Sequence, residues 1–298
     1  MKNEKIEEVA EQVFMISAER PGPTVAIVGG VHGNEKTGIA VVSELLAEAR
    51  RGELRLKLGR LLLAFGNPHA IERGTRGSIE GADLNRSFRQ AVLDGEGTSY
   101  EEERARDLAC AFDAVTIGVD IHATNKPSEP FLCAQRIVSA EHRDLCAVFC
   151  VERVLLDPAM VFAGETVTLD EYFARQGRIG ICYETGQASD LARVQIVKNE
   201  VRELLRRVRM IDGFSQQSHG SRSQIFYALS HAITLTSAGF IYAPGMGNEN
   251  FQPFEAGMLI GHHGSEPFVA AYAGVIVFPK IASLWSLGQP VGYLAKRL

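Results

Sequence analysis

The sequence has no apolar run approaching the roughly 20 residues that a membrane-spanning helix needs, so we expect no membrane partner. Residues 1–14 are highly charged and contain no apolar stretch, and we therefore expect no secretory signal peptide. Basic residues are also in the minority, because 31 Lys and Arg residues against 36 Asp and Glu residues leave a net charge of −5. This balance argues against nucleic acid as a partner, since phosphate binding needs a basic face.

Cysteine is scarce, and its spacing follows no familiar pattern. The chain has five cysteines, an odd number, and no C-x-x-C pair, which argues against a disulfide framework or a zinc knuckle. Cys146 and Cys150 are four residues apart and could share a helix face, but buried free thiols are the more common state of such residues. We therefore predict a protein of the reducing cytoplasm.

The abundant residues describe an ordinary globular protein, with 46% hydrophobic and 22% charged residues. A chain of 298 residues fits one large domain, or a catalytic domain with a smaller appendage. Up to about residue 211, buried-type strands alternate with amphipathic helices, which indicates an α/β sheet with crossover connections. We predict strands over residues 24–30, 59–68, 115–122 and 177–186, and helices over residues 37–51, 99–112, 169–176 and 189–211.

The character of the sequence changes beyond residue 211. A polar, helix-poor segment over residues 212–223 is followed by short strand-like runs that Gly, Pro and Asn separate. This pattern is typical of a small all-β module. We therefore predict a catalytic domain over residues 1–215 and a C-terminal β domain over residues 216–298.

The polar clusters of the first domain follow the carboxyl ends of predicted strands, which is the edge where open α/β sheets bind ligands. In G-G-V-H-G-N-E, after the first strand, His32 and Glu35 are three residues apart and would project to one side if a helix begins there. An imidazole nitrogen and a carboxylate oxygen are both zinc ligands. Taken alone, however, such a pair is more often an exposed histidine beside a helix cap.

A second histidine, His122, ends the third predicted strand in V-D-I-H, which brings it to the same sheet edge. With His32 and Glu35 it would complete three protein ligands and leave a fourth position open, which is the catalytic rather than the structural zinc arrangement. By itself His122 has a plainer interpretation, that of a core histidine.

Two further motifs offer acid–base and anion-binding groups. Glu184, in Y-E-T-G, ends the fourth predicted strand, where the apolar residues before it would partly desolvate the carboxylate, as suits a general base. A helix-capping glutamate is the alternative. In D-L-N-R, Arg86 offers a planar fork for a carboxylate and Asn85 a neighbouring donor, although an ordinary loop ion pair or helix cap would look the same.

The motifs G-G-V-H-G-N-E, G-N-P, D-L-N-R, D-I-H and Y-E-T-G, in this order and at these intervals, resemble the succinylglutamate desuccinylase/aspartoacylase family, which is related to the zinc carboxypeptidases. The resemblance runs from about residue 24 to residue 186. It implies an α/β fold with a mixed central sheet flanked by helices, like that of the zinc carboxypeptidases, and a smaller C-terminal all-β domain. It also implies one zinc ion per chain and hydrolysis of an amide bond in a small anionic N-acyl amino acid.

The resemblance assigns the catalytic roles as well. It implies that His32, Glu35 and His122 bind zinc and that Glu184 is the catalytic base, which takes a proton from the attacking water and returns it to the departing amine. Zinc and an arginine would stabilise the oxyanion of the tetrahedral intermediate.

The remaining implied roles belong to the loop around D-L-N-R. Asn85 and Arg86 would hold a carboxylate of the substrate, and Asp83 would fix the tautomer of the first zinc-binding histidine by a hydrogen bond. An arginine shortly before D-L-N-R would polarise the scissile carbonyl. Arg73 and Arg76 are both available, and we favour Arg76.

Other interpretations stay open at this point. A metallocarboxypeptidase acting on peptides would use the same groups in a more open cleft, and a non-catalytic protein would bind an acylated amino acid, although the intact ligand set argues against it. The residues that read the acyl group are not identified, with Tyr242 and Tyr272 as candidates, and we expect His262 and His263 in a solvated loop. The sequence leaves the oligomeric state open, a homo-oligomer included.

Overall fold

A long mixed β-sheet that draws strands from both ends of the chain organises the fold. The computed structural model describes residues 5–134, 139–162, 167–188, 190–213 and 223–298. Within these ranges the central sheet has twelve strands, and a separate antiparallel sheet has three. The predicted α/β class, with a mixed central sheet, flanking helices and a small C-terminal β-sheet, is thereby confirmed.

The elements follow one another along the chain as short strands and helices. The strands are β1 (Lys5–Ala10), β2 (Val13–Ser17), β3 (Thr24–Gly29), β4 (Arg60–Phe65), β5 (Ile117–Thr124), β6 (Phe131–Cys133), β7 (Arg153–Leu156), β8 (Ile179–Gln187), β9 (Ile225–Thr234), β10 (Ile241–Tyr242), β11 (Gln252–Phe254), β12 (Leu259–His263), β13 (Glu266–Val269), β14 (Gly274–Val277) and β15 (Pro290–Arg297). The α-helices are α1 (Lys36–Arg50), α2 (Pro68–Arg73), α3 (Gln90–Leu93), α4 (Tyr100–Ala111), α5 (Ala140–Cys146), α6 (Leu169–Arg175) and α7 (Val194–Arg207), and short 3-10 turns span Leu84–Arg86 and Ala282–Leu284.

The order of the central sheet is β1-β2-β4-β3-β5-β8-β6-β7-β9-β15-β14-β11. Its strands β4, β3, β5 and β8 are parallel, so their carboxyl ends meet at one edge. Every residue of β3 and β5 is buried, as expected of parallel strands that are covered on both faces. The next strand, β6, runs antiparallel to β8 and parallel to β7.

Alternate side chains of these strands face two separate layers of the core. Val25 and Ile27 of β3 pack in the layer that contains α1, α5 and α7, whereas Ala26 and Val28 pack in the layer that contains α4 and α6. Burying each of the larger side chains contributes about 1.5–3 kcal/mol, so both layers stabilise the sheet. None of the helices within the described ranges is both long and apolar enough to cross a membrane.

The strong predicted elements correspond to β3, β4, β5 and β8 and to α1, α4, α6 and α7. Helix α4 shows why, because Ser99 and Glu102 form a reciprocal capping box at its start and its first turn is acidic. The last predicted helix is shorter than expected: residue 189 lies outside the described residues, and α7 begins at Val194.

Three of the strands that the sequence analysis did not predict are weak by pattern. Strand β1 is largely exposed and rich in Lys and Glu. Charged residues keep edge strands from unwanted pairing, but they also remove the alternation of apolar and polar residues by which a strand is predicted. Strands β6 and β7 have only three and four residues. No periodicity can be read from segments of this length.

The C-terminal strands are divided between the two sheets. Strand β9 pairs parallel with β7 and antiparallel with β15, so that β9, β15, β14 and β11 extend the central sheet. Strands β10, β12 and β13 form the separate sheet. The predicted domain boundary between residues 215 and 216 lies outside the described residues, and the division into two domains stays a prediction.

Candidate metal centre and active site

Two of the candidate ligands lie in the turn that joins β3 to α1. His32 and Glu35 are both buried, and the Glu35 N–H donates a hydrogen bond to the His32 carbonyl oxygen over 3.2 Å. Glu35 is the N-cap of α1, so the pair is positioned by a tight turn before the helix rather than by the helix itself. Gly33 lets this turn pack against α2, because a Cβ there would lie 2.0 Å from the backbone of Ala70.

The Glu35 carboxylate links the two candidate histidines. Its Oε1 lies 2.7 Å from Nδ1 of His32, and its Oε2 lies 2.9 Å from Nδ1 of His122, which reaches this point from β5. The backbone N–H of Ala123 also donates to Oε2, over 3.1 Å. The ligand atoms of His32, Glu35 and His122 all lie within 4.8 Å of one another. The structure therefore brings into one buried group the three residues that two separate motifs suggested.

Two further carboxylates orient the imidazole rings. Nε2 of His32 lies 3.1 Å from Oδ1 of Asp83, and Nε2 of His122 lies 2.6 Å from Oδ2 of Asp120. An ionised carboxylate only accepts hydrogen bonds, so each Nε2–H donates to its carboxylate, and Nδ1, which faces Glu35, is the ring nitrogen that would bind a metal ion. Sequence reasoning missed Asp120. The available signal was its position two residues before His122 on one strand, which puts both side chains on the same face.

The electrostatics of this group favour a bound cation. Burial favours the neutral acid at Glu35, but His32 and His122 outweigh it and hold the pKa of Glu35 below its usual range. Burial likewise disfavours the charged form of His122, whereas Asp120 and Glu35 raise its pKa well above the usual value. The carboxylates thus attract positive charge, and two imidazole nitrogens with one carboxylate oxygen fit a divalent metal ion in a three-ligand site of the catalytic kind.

Glu184 stands beside this group on the neighbouring strand. It is the direct partner of His122 in the parallel pairing of β5 with β8, and it lines the same cavity as the three candidate ligands. Its Oε2 is buried and has no hydrogen-bond partner among the described residues. Burial raises the pKa of Glu184 to about 8, with a smaller contribution from Glu35 in the same direction and an opposing one from His122.

The two arginines considered for the scissile carbonyl are held differently. Arg76 donates to Oδ2 of Asp83 from Nε over 3.2 Å and from Nη2 over 2.9 Å, which ties it to the carboxylate beside the first histidine. Arg73 instead donates to the carbonyl oxygen of Ser78 over 2.6 Å. Both line the cavity, and the charge of Arg76 opposes the burial that raises the pKa of Glu184.

Asn85 and Arg86 lie in the short 3-10 turn next to the metal group. The side-chain oxygen of Asn85 accepts a hydrogen bond from the Leu169 N–H over 2.8 Å, and its Nδ2 lies 3.3 Å from Nε2 of His122. The side-chain oxygen of Asn85 is therefore engaged by the protein, whereas a protonated Nε2 of His122 does not accept from Nδ2 of Asn85. Arg86 donates to the Asn85 carbonyl oxygen over 2.7 Å, and its guanidinium lies 5.0 Å from the centre of the Phe162 ring.

A cavity of about 1460 Å³ opens over these residues, which is larger than the roughly 300–1,000 Å³ of most ligand pockets. Part of its wall comes from the C-terminal strands and loops, including Leu229, Lys280 and Tyr293. Sequence reasoning missed Lys280. Burial lowers the pKa of Lys280, and the nearby charges of Arg86 and Arg76 lower it further, so three cations face one region of the cavity.

The tyrosines and histidines that the sequence reading named in the C-terminal part lie elsewhere. Tyr242 donates to a backbone carbonyl of β15 over 3.3 Å, and Tyr272 is hydrogen-bonded to a serine of β9. Neither tyrosine lines the cavity. His262 and His263 belong to β12 and are partly buried, so the expected solvated loop was wrong.

Comparison with known proteins agrees with this geometry. Residues 21–209 match the family described as the Succinylglutamate desuccinylase/Aspartoacylase catalytic domain. The succinylglutamate desuccinylase of Pseudomonas aeruginosa (strain UCBPP-PA14) is 28% identical over 289 residues, which cover 91% of this chain and 84% of that protein. An N-acyl-aromatic-L-amino acid amidohydrolase (carboxylate-forming) of Xenopus laevis is 34% identical over 111 residues, which cover 35% of each chain.

Solved structures share the fold. The crystal structure of a succinylglutamate desuccinylase from Vibrio cholerae matches with a TM-score of 0.79 at 19% sequence identity, and the match covers 99% of this chain and 90% of that one. The family match spans the metal group and Glu184 together. This chain therefore belongs to the succinylglutamate desuccinylase/aspartoacylase family of metal-dependent amidohydrolases.

Proposed function

We propose that this protein is a cytoplasmic, zinc-dependent hydrolase that cleaves the amide bond of a small anionic N-acyl amino acid. The position of Glu184 carries the proposal. Glu184 is the register partner of His122, lines the same cavity as the candidate ligands, and has a buried Oε2 with no partner among the described residues. A carboxylate base beside a three-ligand metal group is the arrangement of metal-assisted hydrolysis.

Zinc is the metal that we propose for the group. Imidazole and carboxylate are ordinary zinc ligands, and His32, Glu35 and His122 would hold one ion per chain. Zinc, when bound, supplies Lewis acidity that polarises the amide carbonyl and lowers the pKa of water to about 7.

Glu184 supplies the proton transfers in this proposal. Burial raises the pKa of Glu184 above that of an ordinary carboxyl group, which makes its carboxylate a stronger base. We propose that Glu184 takes a proton from the attacking water and then gives it to the departing amine. Arg76 donates a hydrogen bond to the carboxylate of Asp83 and lines the same cavity. We propose that it donates to the oxyanion that develops on the carbonyl; such a donor contributes about 3 kcal/mol.

Two cations at one part of the cavity wall support an anionic substrate. Arg86 and Lys280 are far apart in the sequence but close in the structure. Burial lowers the pKa of Lys280, and the nearby charge of Arg86 lowers it further. A planar guanidinium binds a carboxylate through two parallel hydrogen bonds, so we propose that Arg86 holds the substrate carboxylate. Asn85 would assist through its Nδ2 donor, since its side-chain oxygen already accepts a hydrogen bond from Leu169.

The relatives' names support an N-acyl amino acid as the substrate class. The Pseudomonas aeruginosa relative is a succinylglutamate desuccinylase, and the Xenopus laevis relative is an N-acyl-aromatic-L-amino acid amidohydrolase. These two names differ in the amino acid, so the identity of both halves of the substrate is a question for experiment.

The size of the cavity favours one alternative, a metallocarboxypeptidase that acts on short peptides. A volume of about 1460 Å³ exceeds what a small N-acyl amino acid fills. The ligands, the base and the carboxylate-binding arginine would serve this reaction equally well. The two functions therefore differ only in what occupies the acyl side of the scissile bond.

A hydrolysis screen with the zinc-loaded protein tests the proposal. The panel contains acetyl, succinyl and formyl derivatives of acidic and neutral amino acids, together with dipeptides that have a free carboxylate. The expected result is hydrolysis of one N-acyl amino acid with kcat/KM above about 10⁴ M⁻¹s⁻¹ and no comparable cleavage of dipeptides. Faster cleavage of a dipeptide would favour the carboxypeptidase, and no hydrolysis of any member would contradict the proposal.

A further inference from the structure

Two free cysteines face each other across neighbouring strands on the cavity wall. Cys133 of β6 and Cys182 of β8 are direct partners in the antiparallel pairing of these strands, and both line the cavity. Neither is in a disulfide. We propose that Cys133 and Cys182 form a reversible disulfide in response to a peroxide, and that this disulfide switches the adjacent active site off.

The backbone already has the spacing that such a bond needs. Directly opposed residues of antiparallel strands have Cα atoms about 4.5–5.5 Å apart, within the range of about 4.4–6.8 Å that disulfides require. The two thiols are also close enough for each to change the pKa of the other. The bond can therefore close while β6 and β8 keep their pairing register.

The cysteine pair lies next to the catalytic groups, because Cys182 is two residues before Glu184 on β8. Across β5, β8 and β6, Asp120 is opposite Cys182 and Cys182 is opposite Cys133, and in the adjacent row of the same face His122 is opposite Glu184. A bond to Cys133 would pull Cys182 towards β6. Because Cys182 and Glu184 point to the same face two residues apart, this movement would shift the base relative to the metal group.

The two thiols have different surroundings, which indicates which of them reacts first with the peroxide. Cys133 is partly exposed at the cavity, whereas Cys182 is buried. The neighbouring Cys182 thiol lowers the pKa of Cys133, although burial and the charges of Glu184 and Asp170 together raise it. The neighbouring Cys133 thiol and burial both raise the pKa of Cys182, well above its usual value. The more accessible Cys133 is therefore the first nucleophile and Cys182 the resolving thiol.

The reaction consumes one peroxide for each disulfide. The Cys133 thiolate attacks a peroxide oxygen, the O–O bond breaks, and hydroxide leaves, so that Cys133 becomes a sulfenic acid. The Cys182 sulfur then attacks the Cys133 sulfur, the S–O bond breaks, and water leaves with the thiol proton. In total the two thiols lose two electrons and two protons, and hydrogen peroxide is reduced to two water molecules.

Mass spectrometry tests the cross-link without reference to hydrolysis. A variant with Cys110→Ser, Cys146→Ala and Cys150→Ser keeps only the proposed pair. After treatment with hydrogen peroxide its mass should fall by about 2 Da, the mass of two hydrogens, and return with dithiothreitol. The same variant carrying Cys182→Ala should instead gain about 16 Da or more, because the sulfenic acid of Cys133 then has no resolving partner.

A gain of oxygen by the pair-only variant, with no loss of two hydrogens, would overturn the proposal. If the pair-only variant does not fold, a non-reducing peptide map of the oxidised wild-type protein gives the same decision. A peptide that links Cys133 to Cys182 supports the proposal, and a map without this peptide rejects it.

The effect on hydrolysis rests on the proposed function, whereas the cross-link does not. The oxidised protein should hydrolyse its substrate at least tenfold more slowly than the reduced protein, since displacing a catalytic group by about 1 Å costs up to about 100-fold. Dithiothreitol should restore the rate, and Cys133→Ala should show no such loss relative to its own untreated rate. If the cross-linked protein hydrolysed its substrate at an unchanged rate, the proposed switch would be wrong. If the reduced protein showed no hydrolysis at all, the proposed function would be wrong, and mass spectrometry alone would then decide whether the cross-link forms.

Discussion

His122 and Glu184 are direct partners on the parallel strands β5 and β8. His122 presents Nδ1 to Glu35, and Glu184 keeps a buried oxygen without a partner among the described residues. One strand register therefore places a candidate ligand and the candidate base side by side on rigid elements. A site built in this way is preorganised, because neither group depends on the closing of a loop.

Changing Glu184 should separate metal binding from turnover. Glu184→Gln keeps the shape of the side chain and leaves His32, Glu35 and His122 in place, so it should bind zinc as the wild type does and lower kcat by about 100- to 10,000-fold. Glu129→Gln, at an exposed position, is the matched control. Near-normal hydrolysis by Glu184→Gln would show that another group is the base.

Changing Asp120 should weaken metal binding without removing a ligand. Asp120→Asn exchanges the carboxylate that accepts from Nε2 of His122 for an amide, and we expect zinc affinity to fall by about 10- to 100-fold in a chelator competition assay. Asp113→Asn, at a side chain that is 93% exposed, should leave the affinity unchanged. Equal affinities for the two variants would contradict the orienting role of Asp120.

The raised pKa of Glu184 predicts a pH dependence of stability in the metal-free protein. Its pKa is about 8 in the folded chain, where burial favours the neutral acid, against an ordinary value of 4.5. The folded state thus binds more protons between these values, so the contribution of Glu184 to the free energy of unfolding is present below pH 4.5 and is lost as the pH rises through about 8.

Glu184→Gln cannot titrate, so its stability relative to the wild type should increase over this pH range. Urea denaturation of both proteins in the presence of a chelator measures the difference. A difference that is the same at both ends of the range would mean that Glu184 is not buried as a neutral acid in the metal-free protein.

Removing the charge of Lys280 should weaken substrate binding. Lys280→Met keeps much of the length of the side chain but removes one of the cations that face the cavity beside Arg86. We expect KM to rise by about 10-fold or more with a smaller change in kcat, because a hydrogen bond to a charged group contributes about 1.5–3 kcal/mol. Lys57→Met, far along the chain in an exposed ion pair with Asp212, should leave both constants unchanged.

The grouping of the metal ligands could be predicted because it depends on one general rule. Parallel strands end at the same edge of a sheet, and G-G-V-H-G-N-E and V-D-I-H follow two strands with strong apolar patterns. The turn that holds His32 and Glu35 was less predictable, since a helix and a tight turn before a helix both bring residues three apart to one side.

Contacts between distant segments could not be read in the same way. Lys280 reaches the cavity because the C-terminal strands join the central sheet through β9, and no local pattern encodes that pairing. Cys133 and Cys182 meet because the three-residue strand β6 inserts antiparallel beside β8. Asp120 is the exception, because alternation along a single strand already places it beside the ring of His122.

The most direct test of the metal centre is the zinc content of the purified protein after zinc loading and removal of excess metal, measured by elemental analysis beside that of Glu35→Gln. Glu35 lies between the two histidines, 2.7 Å from one Nδ1 and 2.9 Å from the other, so its carboxylate is central to the site. The account predicts about one zinc per wild-type chain and well below that value for Glu35→Gln, which loses a charged ligand. Wild-type protein without stoichiometric zinc, or full retention by Glu35→Gln, would contradict it.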